Sequence, residues 1–210
     1  MSKPILHYIY DPLCGWCYAA EPLIQAAQAL ERFELVLHGG GLMRGQRVVP
    51  AMRQHIVSSD RRIAQLTGQP FGEAYLNGLI QDPDTVMDSL PPITAIRAVE
   101  ALAGDGLAMH VVIQHAHYVD GRRVSELDTL VELAVGLGLE AEAFHRVFAQ
   151  QSESVMGHID DTRRMLDANG GGGFPTLLLE TEGGLRRLEI SNYYGQTQRW
   201  SEFLHTLLSR

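Results

Sequence analysis

Both cysteines of this 210-residue chain fall in one four-residue string, Cys14-Gly15-Trp16-Cys17. No third cysteine remains to pair with either, so a framework of structural disulfides is excluded. Structural zinc normally takes four ligands, and a lone Cys-x-x-Cys would have to recruit histidines to hold it. The spacing fits a redox pair, and its flanks fit too. Leu6-His7-Tyr8-Ile9-Tyr10 has strand character and is ended by Asp11-Pro12. Tyr18 to Glu31 has helical composition, with Leu23, Ile24, Ala27 and Leu30 on one stripe. The cysteines therefore lie where a strand ends and a helix begins. Unpaired N–H groups and the helix dipole favour an anion there, which points to a thiolate at Cys14. Cys17, one turn further on, is placed to close a disulfide with it and to act as the resolving thiol.

Charge narrows the partners. The 25 acidic residues against 17 Lys plus Arg leave a formal charge of -8. That balance argues against nucleic acid, whose phosphates need clustered cations, and against a place on anionic membranes. No apolar run approaches the ~18 residues that span a bilayer. Met1 to Tyr10 does not read as a secretory signal, so the expectation is either a cytoplasmic location or a leader removed and a methionine put back.

A strand, a Cys-Gly-x-Cys helix start and Pro22 five residues beyond Cys17 resemble the thioredoxin superfamily. The fuller string Tyr10-Asp11-Pro12-Leu13-Cys14-Gly15-Trp16-Cys17-Tyr18 is similar to the DsbA-related branch that includes the FrnE-like proteins, described as predicted protein-disulfide isomerases. The resemblance implies that Pro22 kinks the active-site helix, deleting the hydrogen bond to the carbonyl of Tyr18. It also implies a cis-proline opening the third strand. The sequence supplies Gly170-Gly171-Gly172-Gly173-Phe174-Pro175-Thr176 and then Leu177-Leu178-Leu179-Glu180. As a local step, Phe174-Pro175 would be trans; the resemblance makes Pro175 the cis-proline and sets the Phe174 backbone against an extended substrate chain. Trp16, Phe174, Pro175 and Thr176 then border the substrate. The glycine run lacks the Lys-Ser/Thr of a phosphate-binding loop and leads into a strand.

The remaining elements fall in the order that such a fold requires. Phe33 to Leu37 reads as the second strand. Thr176 to Glu180 and Leu185 to Ile190 read as a hairpin about a turn at Thr181-Glu182-Gly183-Gly184. Thr197 to Leu208 places Trp200, Phe203, Leu204, Leu207 and Leu208 at helical spacing. Helical patterns cover Gln54 to Leu66, Phe71 to Ile80, Ile93 to Ala103, Leu107 to Tyr118, Leu127 to Leu137 and Glu140 to Gln151, and no long strand interrupts them. Pro91-Pro92 precede a helix that Gly104 ends, and Ser125-x-x-Asp128 resembles a capping box. The expected class is α/β. It is a thioredoxin-like fold built from residues 1–46 and 155–210, with an all-helical insertion at 47–154 between the second strand and the cis-proline strand. That insertion either walls one side of the active-site groove or only enlarges the core.

Other candidates are weaker. His110, His115 and His117 share a helix without an i, i+4 pair, so they are expected to line a groove or the surface rather than hold a metal. His38, in His38-Gly39-Gly40-Gly41-Leu42-Met43 after the second strand, is a candidate neighbour of the thiolate. Two departures from the family bear on mechanism. Trp16 stands where DsbA has a histidine, and an indole supplies no positive charge, so a weaker oxidant is expected. Tyr8 stands where thioredoxin and DsbA have a buried acid, which leaves His7, Asp11 or water to move the proton of Cys17.

The function expected is thiol-disulfide exchange, as reduction or isomerisation, through Cys14 and Cys17. It calls for no metal or organic cofactor. Its partners are a disulfide- or thiol-bearing protein or small molecule, with glutathione as a thiol partner. A second class shares the fold, the kappa-class glutathione transferases and 2-hydroxychromene-2-carboxylate isomerases, which use a serine without a resolving thiol. A third is a non-catalytic redox sensor.

Overall fold

The computed structural model describes residues 3–207; Met1, Ser2 and Leu208 lie outside them. The first half of the chain forms β1 (Ile5–Tyr10), α1 (Gly15–Ala29), β2 (Glu34–Gly39), β3 (Gln46–Arg47), α2 (Pro50–Thr67), a π-helical turn at Ala74–Leu79 and β4 (Val86–Met87). The second half forms α3 (Leu90–Ala103), α4 (Gly106–Tyr118), α5 (Leu127–Gly136), α6 (Ala141–Ala168), β5 (Thr176–Thr181), β6 (Gly184–Leu188) and α7 (Thr197–Leu207). One sheet runs β2-β1-β5-β6, and β3 and β4 make a separate two-residue ladder. β1 pairs parallel with β2 and antiparallel with β5, with Tyr8 opposite both Leu37 and Leu177.

Alternation along β1 sends its side chains to two cores. Leu6, Tyr8 and Tyr10 join Leu177 and Leu179 in the main core, where α1 contributes Cys17, Ala20, Leu23, Ile24 and Ala27. Ile9 faces the other way, onto Leu178 and Leu166 of α6. Burying each Leu or Ile of the α1 stripe contributes about 2 kcal/mol, which anchors the helix that carries the cysteines. Pro22 lies inside α1. The Tyr18 carbonyl, which a proline at that position cannot reach, accepts instead from the Gln69 side-chain amide at 2.9 Å. Trp200 of α7 is fully buried and its indole N–H donates to the Leu23 carbonyl at 2.8 Å, fixing α7 along α1.

Several local expectations change. The helix expected over Phe71 to Ile80 is a π-helical turn, entered where the Gly72 N–H donates to the Tyr118 carbonyl at 2.9 Å. The helix expected to end at Gln151 runs 28 residues to Ala168, because Val155, Ile159, Thr162 and Leu166 continue its buried stripe. The Ser125–Asp128 capping box does not form. Glu126 occupies the N-cap of α5 without a side-chain bond, and the Ser125 hydroxyl donates to the Val86 carbonyl at 3.1 Å. Pro91 and Pro92 sit in the first turn of α3, not before it. Among the described residues no helix is long and apolar enough to cross a membrane.

Candidate active site

Asp11-Pro12-Leu13 turns the chain from β1 into α1 and leaves Cys14 at the N-cap, extended at φ -98 and ψ 114. The Cys14 N–H donates back to the Asp11 carbonyl at 3.2 Å, and the Cys14 carbonyl accepts from Cys17 and Tyr18 at 2.9 and 3.0 Å. Both thiols are free. Cys14 is 8% exposed and Cys17 is fully buried. The Cys14 thiol donates to the Phe174 carbonyl at 3.4 Å, and the Asp11 N–H donates to the Cys17 sulfur at 3.4 Å. The Tyr8 hydroxyl, in the place of the family's buried acid, donates to the Cys17 carbonyl at 3.3 Å. Burial pushes the Cys17 thiol up, and the adjacent Cys14 pushes it further.

The opposite wall is the loop before β5. The Phe174–Pro175 peptide bond is cis, and the Thr176 hydroxyl, buried behind it, donates to the Gly173 carbonyl at 2.9 Å. Phe174 lies against Gly40, where a Cβ would meet its ring at 2.0 Å, so the loop after β2 closes on it only because residue 40 has no side chain. Arg163 of α6 clamps that loop, donating from Nε to the Gly40 carbonyl at 2.9 Å and from Nη2 to the Gly41 carbonyl at 2.6 Å. On the other flank the Trp16 ring packs 5.2 Å from Tyr194, whose hydroxyl donates to the Trp16 carbonyl at 3.4 Å. Neither Arg163 nor Tyr194 lies in a sequence motif, and only the fold brings them to the site.

Of the two side chains considered for the Cys17 proton, the structure brings one to the site. Asp11 is fully buried. Its Oδ1 accepts from the Leu13 N–H at 2.9 Å and the Ser89 hydroxyl at 2.8 Å, and its Oδ2 accepts from the Leu42 N–H at 2.6 Å. Burial raises its carboxyl to about 6 despite those three bonds. His7 turns away, bonding Glu180 through Nε2 at 2.8 Å and His38 through Nδ1 at 3.0 Å. His38 is thus engaged with His7, and its ring stacks on His158, rather than standing beside Cys14.

The α4 histidines lie elsewhere than their spacing suggests. Only His115 is at the surface, with Nδ1 3.2 Å from Asp120. His110 and His117 are buried, with Gln114 between them, and His117 edges a small pocket with Leu13, Met87 and Val124. Among the described residues no group of three His, Cys, Asp or Glu side chains is arranged to hold a metal ion.

Comparison with known proteins places this geometry. A family model described as DSBA-like thioredoxin domain matches residues 5–189. The structure superposes on the cytosolic disulfide reductase DsbM from Pseudomonas aeruginosa with a TM-score of 0.93 at 48% identity, covering 98% of each chain. A second DsbM structure, with GSH, gives a TM-score of 0.90 at 47% identity and covers 98% of this chain and 100% of that one. A curated relative, the ClpXP adapter protein SpxH of Halalkalibacterium halodurans, is 26% identical over 154 residues, 68% of this chain. The match spans about half the length of that relative, 48%.

Proposed function

The chain belongs to the DSBA-like thioredoxin domain family, and from that membership together with the likeness to DsbM we infer a cytosolic disulfide reductase in which Cys14 attacks and Cys17 resolves. Thiol-disulfide oxidoreductase activity follows from the family and from the likeness to DsbM over the whole chain. The division of labour rests on one observation, the unequal access of the two sulfurs. Cys14 caps a helix N-terminus and is touched by solvent, whereas Cys17 is fully buried. Only a thiolate that an incoming disulfide can reach opens the exchange.

The Cys14 thiolate attacks one sulfur of the substrate disulfide; that S–S bond breaks, a mixed disulfide forms, and the departing thiolate takes a proton. Cys17 then loses its proton and attacks the Cys14 sulfur, releasing the second substrate thiol. The substrate gains two electrons and the pair loses two. Cys17 is hard to ionise while Cys14 carries charge. Once Cys14 is tied up in the mixed disulfide that repulsion is gone, and the Asp11 N–H steadies the new thiolate. Resolution is thereby held back until a substrate is bound. Two molecules of a thiol partner reverse the chemistry and restore the dithiol. Glutathione is the partner proposed, supported by the DsbM structure with GSH.

In the same reading Trp16, Phe174 and Pro175 border the substrate chain, with Thr176 supporting their loop from behind. The Phe174 carbonyl, which the resting Cys14 thiol occupies, becomes the acceptor for a substrate N–H when Cys14 is ionised. We assign residues 1–46 and 155–210 to the exchange body around an insertion at 47–154, which is not all-helical, since it holds β4, and which passes into the body within the continuous helix α6. The contact of Arg163 with the loop after β2 supports assigning the chain beyond 154 to that body. A Cys17→Ala variant is expected to trap mixed disulfides that dithiothreitol releases, while Cys14→Ser traps none and reduces neither insulin nor oxidised glutathione. Mixed disulfides on Cys17 in the Cys14→Ser variant would reverse the assignment.

A further inference from the structure

Asp60 is a second buried carboxyl beside the Cys-x-x-Cys turn, and nothing in the exchange chemistry above uses it. It lies on α2, 4% exposed, and its Oδ2 accepts the Tyr75 hydroxyl at 2.7 Å. Its Oδ1 faces the backbone next to Cys14: a Cβ built on Gly15 would lie 2.6 Å from that oxygen and 3.0 Å from Cδ1 of Ile63. Glycine at 15 is what lets α2 bring a carboxyl to the first residue of α1. Tyr118 of α4 senses the charges of Tyr75, Asp60, Cys14 and Cys17 together, so the acid and both sulfurs share one buried neighbourhood. The other titratable group acting on Asp60 is His55 of its own helix. No ion pair among the described residues includes Asp60. Desolvation raises its carboxyl to about 6, against the opposing Tyr75 bond, which leaves it ionised above neutral pH.

We propose that Asp60 is a positioning residue for charge: its carboxylate, held by Tyr75 against Gly15, disfavours the Cys14 thiolate and so tilts the pair toward its disulfide. Strongly oxidising pairs owe their potential to a stabilised thiolate in the reduced form. A carboxylate at the same place acts in the opposite sense, because two like charges repel strongly where water is scarce. The reduced pair is then the better electron donor, which suits a reductase. The proposal rests on the reading that Cys14 and Cys17 exchange with disulfides.

The balance to measure is dithiol plus oxidised glutathione giving the Cys14–Cys17 disulfide plus two glutathione thiols. One S–S bond breaks, one forms, and both thiol protons pass to the glutathione sulfurs. It is followed from pH 5 to pH 9 in the wild-type protein, Asp60→Asn and Tyr75→Phe. Asp60→Asn is expected to match wild type at pH 5, where the carboxyl is protonated. It should favour the dithiol increasingly above pH 6, by about ten-fold at the alkaline end, or roughly 30 mV. Its reaction with iodoacetamide at pH 7 should quicken several-fold. Tyr75→Phe removes the bond that favours the carboxylate but keeps the acid, so the wild-type bias should set in at higher pH. If Asp60→Asn does not fold, that displacement in Tyr75→Phe decides alone. A pH-independent offset, or no offset, in a protein that does equilibrate with glutathione overturns the role of Asp60. Failure of the wild-type protein to equilibrate overturns the exchange reading itself.

Discussion

Next to the stacked rings of Tyr8 and Tyr10, two regions handle buried polarity in opposite ways. In the β1–α1 turn the Asp11 carboxylate takes three hydrogen bonds, from its own turn, from the loop after β2 and from Ser89 ahead of α3. On α4, His110 packs edge-on against both tyrosines at 4.5 and 5.9 Å. The ring nitrogens of His110 and the amide of Gln114, four buried atoms in all, find no partner among the described residues. The difference teaches what each group is for. A buried acceptor with three donors specifies which chain segments meet, and here those segments carry Cys14, Gly40 and the start of α3. A buried polar group without a partner works against folding and is tolerated for its shape.

The largest effect should come from breaking the satisfied side. Asp11→Ala orphans two backbone N–H groups and one hydroxyl, each worth about 1–3 kcal/mol when buried and unpaired. Part of this is recovered because a desolvated charge disappears. The expected net loss is about 3 kcal/mol at pH 7, read from urea unfolding, with slower resolution of mixed disulfides as the turn loosens. Unchanged stability would mean that the carboxylate only fills space, and the contrast between the regions would collapse.

Legibility in the sequence followed the same divide. Cys14, Cys17 and Pro22 could be read because each acts on residues next to it in the chain, whereas the cis Phe174-Pro175 step, which faces Cys14 from 160 residues away, was legible only through the family resemblance. Even so, Pro22 disclosed only half of its story: the freed Tyr18 carbonyl is met by Gln69, 51 residues away, and no spacing rule connects them. Ser89, Arg163, Tyr194 and Asp60 reach the site from separate elements, so ordinary polar residues became functional neighbours only through folding. The α4 histidines were misplaced for a different reason. Leu107, Met109, Val111, Val112 and Ile113 make α4 apolar nearly all round, the mark of an interior helix, and that signal outweighed the polarity of His110 and His117. The continuation of α6 was also available, as Val155, Ile159, Thr162 and Leu166 recur at helical intervals.

The unsatisfied side gives a smaller effect that changes with pH. Burial holds His110 down to about 3, well below the ~6.5 of an unfolded chain. The wild-type protein therefore has the full benefit of a neutral His110 above pH 6.5. It loses that benefit as acid protonates the unfolded chain in preference to the folded one. His117, held to about 4 by the same desolvation, adds to the loss. Asp11 and Asp60, raised to about 6, act in the other direction, since their folded forms take up protons first and gain stability on acidification from pH 7. Replacing His110 by leucine removes one destabilising share. Relative to wild type, its stability should rise by about 2 kcal/mol between pH 7.5 and pH 5. An equal difference at both pH values would show that this imidazole titrates in the folded protein as it does in water.

Gln114 sharpens the contrast because it shares the burial of His110 but cannot titrate. Its Oε1 and Nε2 are both buried and unpartnered among the described residues, so the folded state carries the cost of stripping water from an amide without a bond in return. Methionine has nearly the same length and volume and an apolar tip, and it adapts to irregular surroundings. Gln114→Met should therefore stabilise the protein by about 1 kcal/mol, equally at pH 5 and pH 7.5, and leave glutathione exchange unchanged. A loss of stability in its place would mean that an internal water satisfies the amide, and α4 would then resemble the Asp11 turn rather than oppose it. Measuring Gln114→Met beside His110→Leu separates the two components of buried polarity, since desolvation acts at every pH and only the imidazole adds a proton-linked share.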